Sequence, residues 1–289
     1  MKKSMIMFMI CIALIGIGIL FGTQIINTGS KKAKKMNETK ENTKYHQLDN
    51  INEKIAYYKE ENTERYIIYK DNHPNISTEQ VIIDVNIGLD YPYYTNEKPA
   101  QLPNSSMILV NKYNYLTEEY IPENLEEINE KYAVSNMKLV SYAKNAFEEL
   151  AESAKNENLN IIAMSTYRSY QYQRSLYNRY VSQDGQEAAD TYSARPGYSE
   201  HQTGLAVDVY DGKNMFDNFK ETKEFTWLKE NAHKFGFIMR YSLEKERETG
   251  YKYEPWHYRY VGKEIAEYIY KNNISYEEYY IKFIENKKN

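Results

Sequence analysis

Eighteen consecutive residues near the start of the chain, Met5 to Gly22, carry no charge and no strong polar group, and Lys2 and Lys3 stand immediately before them. At about 1.5 Å per residue a helix of that length spans roughly 27 Å, close to a hydrocarbon core of ~30 Å. A cleaved signal peptide usually has an apolar stretch of only ~7–15 residues. This run is longer and lacks a small-x-small cleavage site, and Phe8-Met9-Ile10 before Cys11 lacks the small residues of a lipoprotein signal. The expectation is an uncleaved signal anchor over residues 1–28, one transmembrane helix. Lys31, Lys32, Lys34 and Lys35 oppose an outward C-terminal domain under the positive-inside rule. Lys2, Lys3 and the terminal amine favour it, and a long domain translocates despite such charges. The remainder is therefore expected outside the cytoplasmic membrane, held at the cell surface by a single pass.

Cys11 is the only cysteine in the 289 residues, so a disulfide framework and a Cys-rich zinc finger are both excluded. Residues 29–65 are rich in Lys, Glu and Asn and read as a polar tether. Residues 66–289 are enough for one domain with a real core. The net charge of −4 argues against a nucleic-acid partner, which would need a basic face. Tyrosine dominates the aromatic content, 31 residues against 9 Phe, and suits polar, partly exposed packing.

Within that domain, Val81-Ile82-Ile83-Asp84-Val85-Asn86-Ile87 is β-branched and bounded by turn formers, which predicts a strand. Leu139, Val140, Ala143, Phe147, Leu150, Ala151 and Ala154 recur at helical steps and predict an amphipathic helix over 136–156. Strands are expected at 160–165, 205–209, 237–240 and 256–261, and helices at 170–181, 225–234, 263–271 and 276–285. Helices and strands out of strict alternation predict an α+β fold.

The histidines divide into two groups. His46 falls in the tether, His73 in a loop before Pro74 and His233 on a predicted helix, none in chemically suggestive company. His201 stands in Ser199-Glu200-His201-Gln202-Thr203-Gly204, with Asp208 inside the strand that follows, and Glu254-Pro255-Trp256 precedes His257. A catalytic zinc takes three N or O ligands from protein and leaves a position for water, which needs a general base that is not itself a ligand. His201, Asp208 and His257 supply two imidazoles and a carboxylate, and Glu254 is the candidate base. On spacing alone an alternative stays open, with Asp208 as a turn or cap residue and His201 as an ordinary loop histidine.

Ser199-x-His201-x-x-Gly204-x-Ala206-x-Asp208 followed by Glu254-x-x-His257 resembles the VanY-like family of zinc D-alanyl-D-alanine carboxypeptidases. Thr166-Tyr167-Arg168-Ser169-Tyr170 with Gln173 is similar to that family's upstream segment. The likeness continues through Val85-Asn86-Ile87-Gly88-Leu89-Asp90-Tyr91-Pro92 and Leu109-Val110-Asn111-Lys112, and so covers about residues 80–272. It implies a single zinc-peptidase domain, a small antiparallel sheet flanked by helices, with one Zn²⁺ on His201, Asp208 and His257 and Glu254 as base. It further implies Arg168 as stabiliser of the oxyanion, an effect worth ~2.7–4 kcal/mol for single donors elsewhere. Ser199, Gln173 and Ser193 would touch substrate; Arg195 and Tyr198 share the Ser193 loop, and Trp256 would wall the site.

The activity so implied is removal of the C-terminal D-alanine from peptidoglycan stem peptides, with no obligate protein partner. An L,D-carboxypeptidase on tetrapeptide stems uses the same chemistry. A D,D-dipeptidase is disfavoured because its free substrate is cytoplasmic. A non-catalytic wall-binding module would have no use for Glu254, and a glycan-cleaving enzyme would need two positioned carboxylates instead.

Overall fold

The computed structural model describes residues 55–285. The anchor expected over 1–28, the tether up to residue 54, Cys11 and His46 lie outside the described residues. No helix among the described residues is long and apolar enough to cross a membrane. The chain divides after Thr63. Before the division the described residues form a 3-10 turn, Glu60–Asn62, on whose Glu60 carbonyl the Thr63 hydroxyl closes at 2.7 Å.

Seven α-helices longer than one turn are described: α1 (Thr63–Asn72), α2 (Thr78–Ile87), α3 (Ser141–Asn156), α4 (Tyr170–Asp184), α5 (Lys223–Asn231), α6 (Lys263–Asn272) and α7 (Tyr276–Phe283). Two short ribbons, β1 (Lys98–Pro99) with β2 (Asn114–Tyr115) and β3 (Leu125–Glu127) with β4 (Lys138–Val140), accompany a four-stranded sheet. That sheet holds β5 (Ile162–Ser165), β6 (Ala206–Tyr210), β7 (Phe237–Met239) and β8 (His257–Tyr260) in the order β5-β6-β8-β7. All its pairings are antiparallel. Mixed helix and small antiparallel sheets match the α+β expectation.

Successive strand residues point to opposite faces. Val207 and Val209 of β6 and Tyr258 of β8 join Ala143, Phe147, Leu150, Ala151 and Ala154 of α3 in one buried core. Asp208 and His257 belong to the other face. The register sets Asp208 directly opposite His257 and, across a bulge in β5, opposite Ser165. A second apolar cluster joins α6 and α7 to Leu109, Ile238 and Val261.

Two expectations are corrected. The run from Val81 to Ile87, read as a strand, is the body of α2. Ser77 caps it by accepting from the Gln80 N–H, and Gly88 ends it at φ +107°. All seven residues from Val81 to Ile87 are buried; burial on every side erases the periodicity that separates helix from strand, and packing overrides β-branched propensity. The helix expected from residue 136 begins at Ser141, because Asn136 takes a left-handed φ of +64° and Lys138–Val140 pairs as β4.

Candidate active site

His201 rides on a 3-10 turn, Glu200–Thr203, that ends at Gly204. Gly204 has φ +68°, and a Cβ there would meet Leu125 at 2.9 Å and Val140 at 3.1 Å, so only glycine turns the chain from His201 into β6. His201 donates through Nδ1 to the Thr166 carbonyl at 2.7 Å, which leaves Nε2 facing Asp208 Oδ2 at 3.3 Å. His257 presents Nδ1 to Asp208 Oδ1 at 3.0 Å and Nε2 to Glu200 Oε2 at 3.5 Å. The two imidazoles stand nearly perpendicular, with ring centres 5.0 Å apart.

His201, Asp208 and His257 are all buried, and one donor atom of each lies within 4.8 Å of the others. Two imidazole nitrogens and a carboxylate oxygen, with the second nitrogen of each ring already engaged, are the donor chemistry of a catalytic zinc site. The residues fit the ion.

Glu254 stands beside this group, Oε2 lying 3.8 Å from His257 Nδ1, at a turn closed by the His257 N–H on the Glu254 carbonyl. Burial pushes its carboxyl up to about 8. Burial and the Arg168 guanidinium push His201 down to about 4. Burial also opposes a charge on His257, yet hydrogen bonds to Asp208 and Glu200 hold it up at about 9. Asp208 lies well below the usual carboxylate range despite burial, because His201 and Arg168 favour its anion. Without a cation the cluster keeps a proton on His257, so a metal entering there must displace it.

The Arg168 guanidinium bonds Asp208 Oδ2 at 2.6 Å and Ser165 Oγ at 2.7 Å, and so borders the same group. Gln173 and Ser193 come together at 3.5 Å, and Gln173 Nε2 donates to the Ala194 carbonyl at 2.8 Å. Gln173 Oε1 is buried with no hydrogen-bond partner among the described residues. Ser199 is buried at the entry to the His201 turn. Among the described residues none of these three hydrogen-bonds to His201, Asp208 or His257. Arg195 is held by both oxygens of Asp190, and Tyr198 packs edge-on against Tyr94. Trp256 meets Phe216 edge-on at 5.4 Å. His73 stacks on Tyr69 and His233 on Tyr270, both in surroundings of their own.

Four charged neighbours of the site escaped the sequence reading. Glu200, Arg240, Arg259 and Glu277 form a buried ion network that ends on His257. The signal for Arg259 was present, since two residues beyond His257 in a strand means the same face.

A family model described as VanY, D-alanyl-D-alanine carboxypeptidase, matches residues 136–263. The protein YodJ of Bacillus subtilis (strain 168) is 39% identical over 189 residues, 63% of this chain and 69% of its own length. The solved LdcB LD-carboxypeptidase superposes with a TM-score of 0.61 at 36% identity, over 65% of this chain and 91% of that one. A vancomycin-resistance D,D-pentapeptidase VanY, solved in complex with Zn(II), superposes with a TM-score of 0.54 at 34% identity, over 60% and 98%. With the site's donor set, these likenesses cover the sheet, the His201 turn and the Glu254–His257 turn together: the chain belongs to the VanY family of D-alanyl-D-alanine carboxypeptidases.

Proposed function

We propose that this protein is a zinc-dependent carboxypeptidase that removes the C-terminal D-alanine from peptidoglycan stem peptides. The observation that carries the reading is a buried carboxyl, Glu254, set 3.8 Å from a three-residue metal-donor group to which it does not belong. A recognition module needs no such base. His201, Asp208 and His257 would hold the zinc, and the chemistry the ion supplies in such a site is Lewis-acid activation of water and of a carbonyl. Glu254 takes the proton from the attacking water and passes it to the departing D-alanine nitrogen as the amide C–N bond breaks, a role suited to a carboxyl poised near neutrality. Arg168 offers its guanidinium to the oxyanion that develops on the scissile carbonyl. Gln173, whose buried carbonyl oxygen has no hydrogen-bond partner among the described residues, is assigned to substrate N–H recognition with Ser193 and Ser199 alongside.

A second reading, an L,D-carboxypeptidase on tetrapeptide stems, is supported by the likeness to the LdcB LD-carboxypeptidase. Incubating the purified protein with defined pentapeptide and tetrapeptide stems, and following D-alanine loss by mass spectrometry, separates the two. Binding without release of either product would instead establish a wall-binding module. We also propose that residues 1–28 anchor the enzyme in the membrane with the domain outside, a reading supported by the apolar run from Met5 to Gly22. Protease added to intact protoplasts should digest the domain; protection would place it in the cytoplasm.

A further inference from the structure

Behind the metal-donor group lies a set of charges that the reaction above leaves unused. Glu200 is 1% exposed. Its Oε1 accepts from Arg240 Nε at 2.8 Å and from Arg259 Nη1 at 2.9 Å, and its Oε2 faces His257 Nε2 at 3.5 Å. The two terminal nitrogens of Arg240 go to Glu277 on α7, at 2.9 and 2.5 Å. Arg259 is pinned in turn by the carbonyls of Ser106 and Ile108.

An ionised carboxylate only accepts hydrogen bonds. With Oε1 taken by two guanidiniums, the imidazole nitrogen facing Oε2 must carry a proton, and it keeps that proton when a metal neutralises the ring. Nδ1, which faces Asp208 Oδ1 at 3.0 Å and lies 3.8 Å from Glu254, is then the nitrogen whose proton an entering metal displaces. We infer that Glu200 is a positioning residue that fixes His257 in the tautomer able to ligate a metal through Nδ1, and that Glu277, acting through Arg240, holds Glu200 in place. The inference rests on the metal site proposed above. It makes α7, which lies beyond the span matched by the family model, part of the apparatus that shapes that site. Carboxylates that orient ligating imidazoles typically govern 10–100-fold in metal affinity, roughly.

Glu200→Gln tests it with little change of shape. The amide has a single oxygen, and the two arginines claim it, so its NH₂ must turn to His257. A donor facing Nε2 demands an acceptor there, which moves the imidazole proton to Nδ1 and blocks the ligating atom. On the full chain in detergent, Zn²⁺ affinity measured by chelator competition should fall about 10–100-fold while the thermal transition stays cooperative. In zinc-loaded, ¹⁵N-histidine-labelled wild type, the Nε2–H proton of His257 should resonate downfield, and this signal should vanish in the variant. A folded Glu200→Gln protein with wild-type zinc affinity and that signal intact overturns the inference. Should Glu200→Gln fail to fold, Glu277→Gln decides the matter, because it leaves Glu200 ionised and loosens only the contacts of Glu277 with Arg240 and Asn111. A smaller loss of zinc affinity then supports the relay, and wild-type affinity overturns it. A wild-type chain that binds no Zn²⁺ overturns the metal site itself, which separates the two failures.

Discussion

On one side of His257, Glu200, Arg240, Arg259 and Glu277 bury two negative and two positive groups; on the other, His201, Asp208 and Glu254 gather around the same imidazole. Both clusters are removed from water, yet their carboxyl groups behave in opposite ways. Burial would raise Glu200, but the Arg240 and Arg259 guanidiniums hold it far below the ordinary carboxylate range. Glu254 has no guanidinium in hydrogen-bond contact among the described residues, and burial lifts it to about 8. Depth alone therefore decides nothing. What matters is whether every acceptor has a donor. The first cluster is closed, charge against charge, and stiffens the fold around Glu200. The second has a single guanidinium, Arg168 on Asp208, for two carboxyl groups, and leaves Glu254 3.8 Å from His257 beside the donor group that would hold a cation.

The contrast is open to direct attack, and the largest effect should come from the open cluster. Glu254→Gln keeps size and reach but cannot take a proton at neutral pH. Turnover on a stem peptide should drop by roughly 10²–10⁴, the usual scale of general acid–base catalysis. Zinc content and melting temperature should stay at wild-type values. Loss of metal together with turnover would make Glu254 a ligand, and unchanged D-alanine release would remove it from the mechanism.

Next comes the closed cluster. Arg240→Met leaves Glu277 without its guanidinium and Glu200 with Arg259 alone, and breaking a buried pair from one side typically costs about 3–5 kcal/mol. Urea titration should show that loss. A change under about 1 kcal/mol would mean the network is not closed as described.

A smaller effect appears as pH dependence. In the metal-free protein Asp208 and Glu200 keep His257 protonated up to about 9, and a metal needs it neutral. Zinc affinity should therefore rise about tenfold per pH unit between roughly pH 6 and 8, equivalent to ~1.4 kcal/mol per unit, and level off above the His257 value. Chelator competition across that range checks the slope; a flat profile would show that no proton leaves when metal enters.

The smallest effect is expected where the same arrangement lies at the surface. Lys144, like Arg240, faces two carboxylates, Glu126 at 3.5 Å and Glu148 at 3.7 Å, but Glu126 is half exposed. Lys144→Met should change stability by less than about 1 kcal/mol. A loss as large as that of Arg240→Met would mean that burial is not what distinguishes the two.

Much of the site was legible in the chain because its members sit at punctuated places. Gly204 marks the turn after His201, Pro255 stiffens the step from Glu254 to His257, and imidazoles near carboxylates point to metal chemistry. Glu200 was not legible, although it adjoins His201. Its arginine partners lie 40 and 59 positions away, and nothing local reveals them. The seven residues from Val81 to Ile87 misled for a related reason: a run buried on all sides carries no period from which helix or strand could be told.

The sequence by itself determined the donor inventory, the amphipathic face of α3 and the uncharged run from Met5 to Gly22, because each depends on neighbours a few positions away. Tertiary structure alone decided that Asp208 faces His257 across the sheet, that each imidazole turns a particular nitrogen inward, and that one buried glutamate is raised while another is held low. Tautomers and proton affinities answer to charges and donors within a few ångströms, and in this fold those come from strands and helices far apart along the chain.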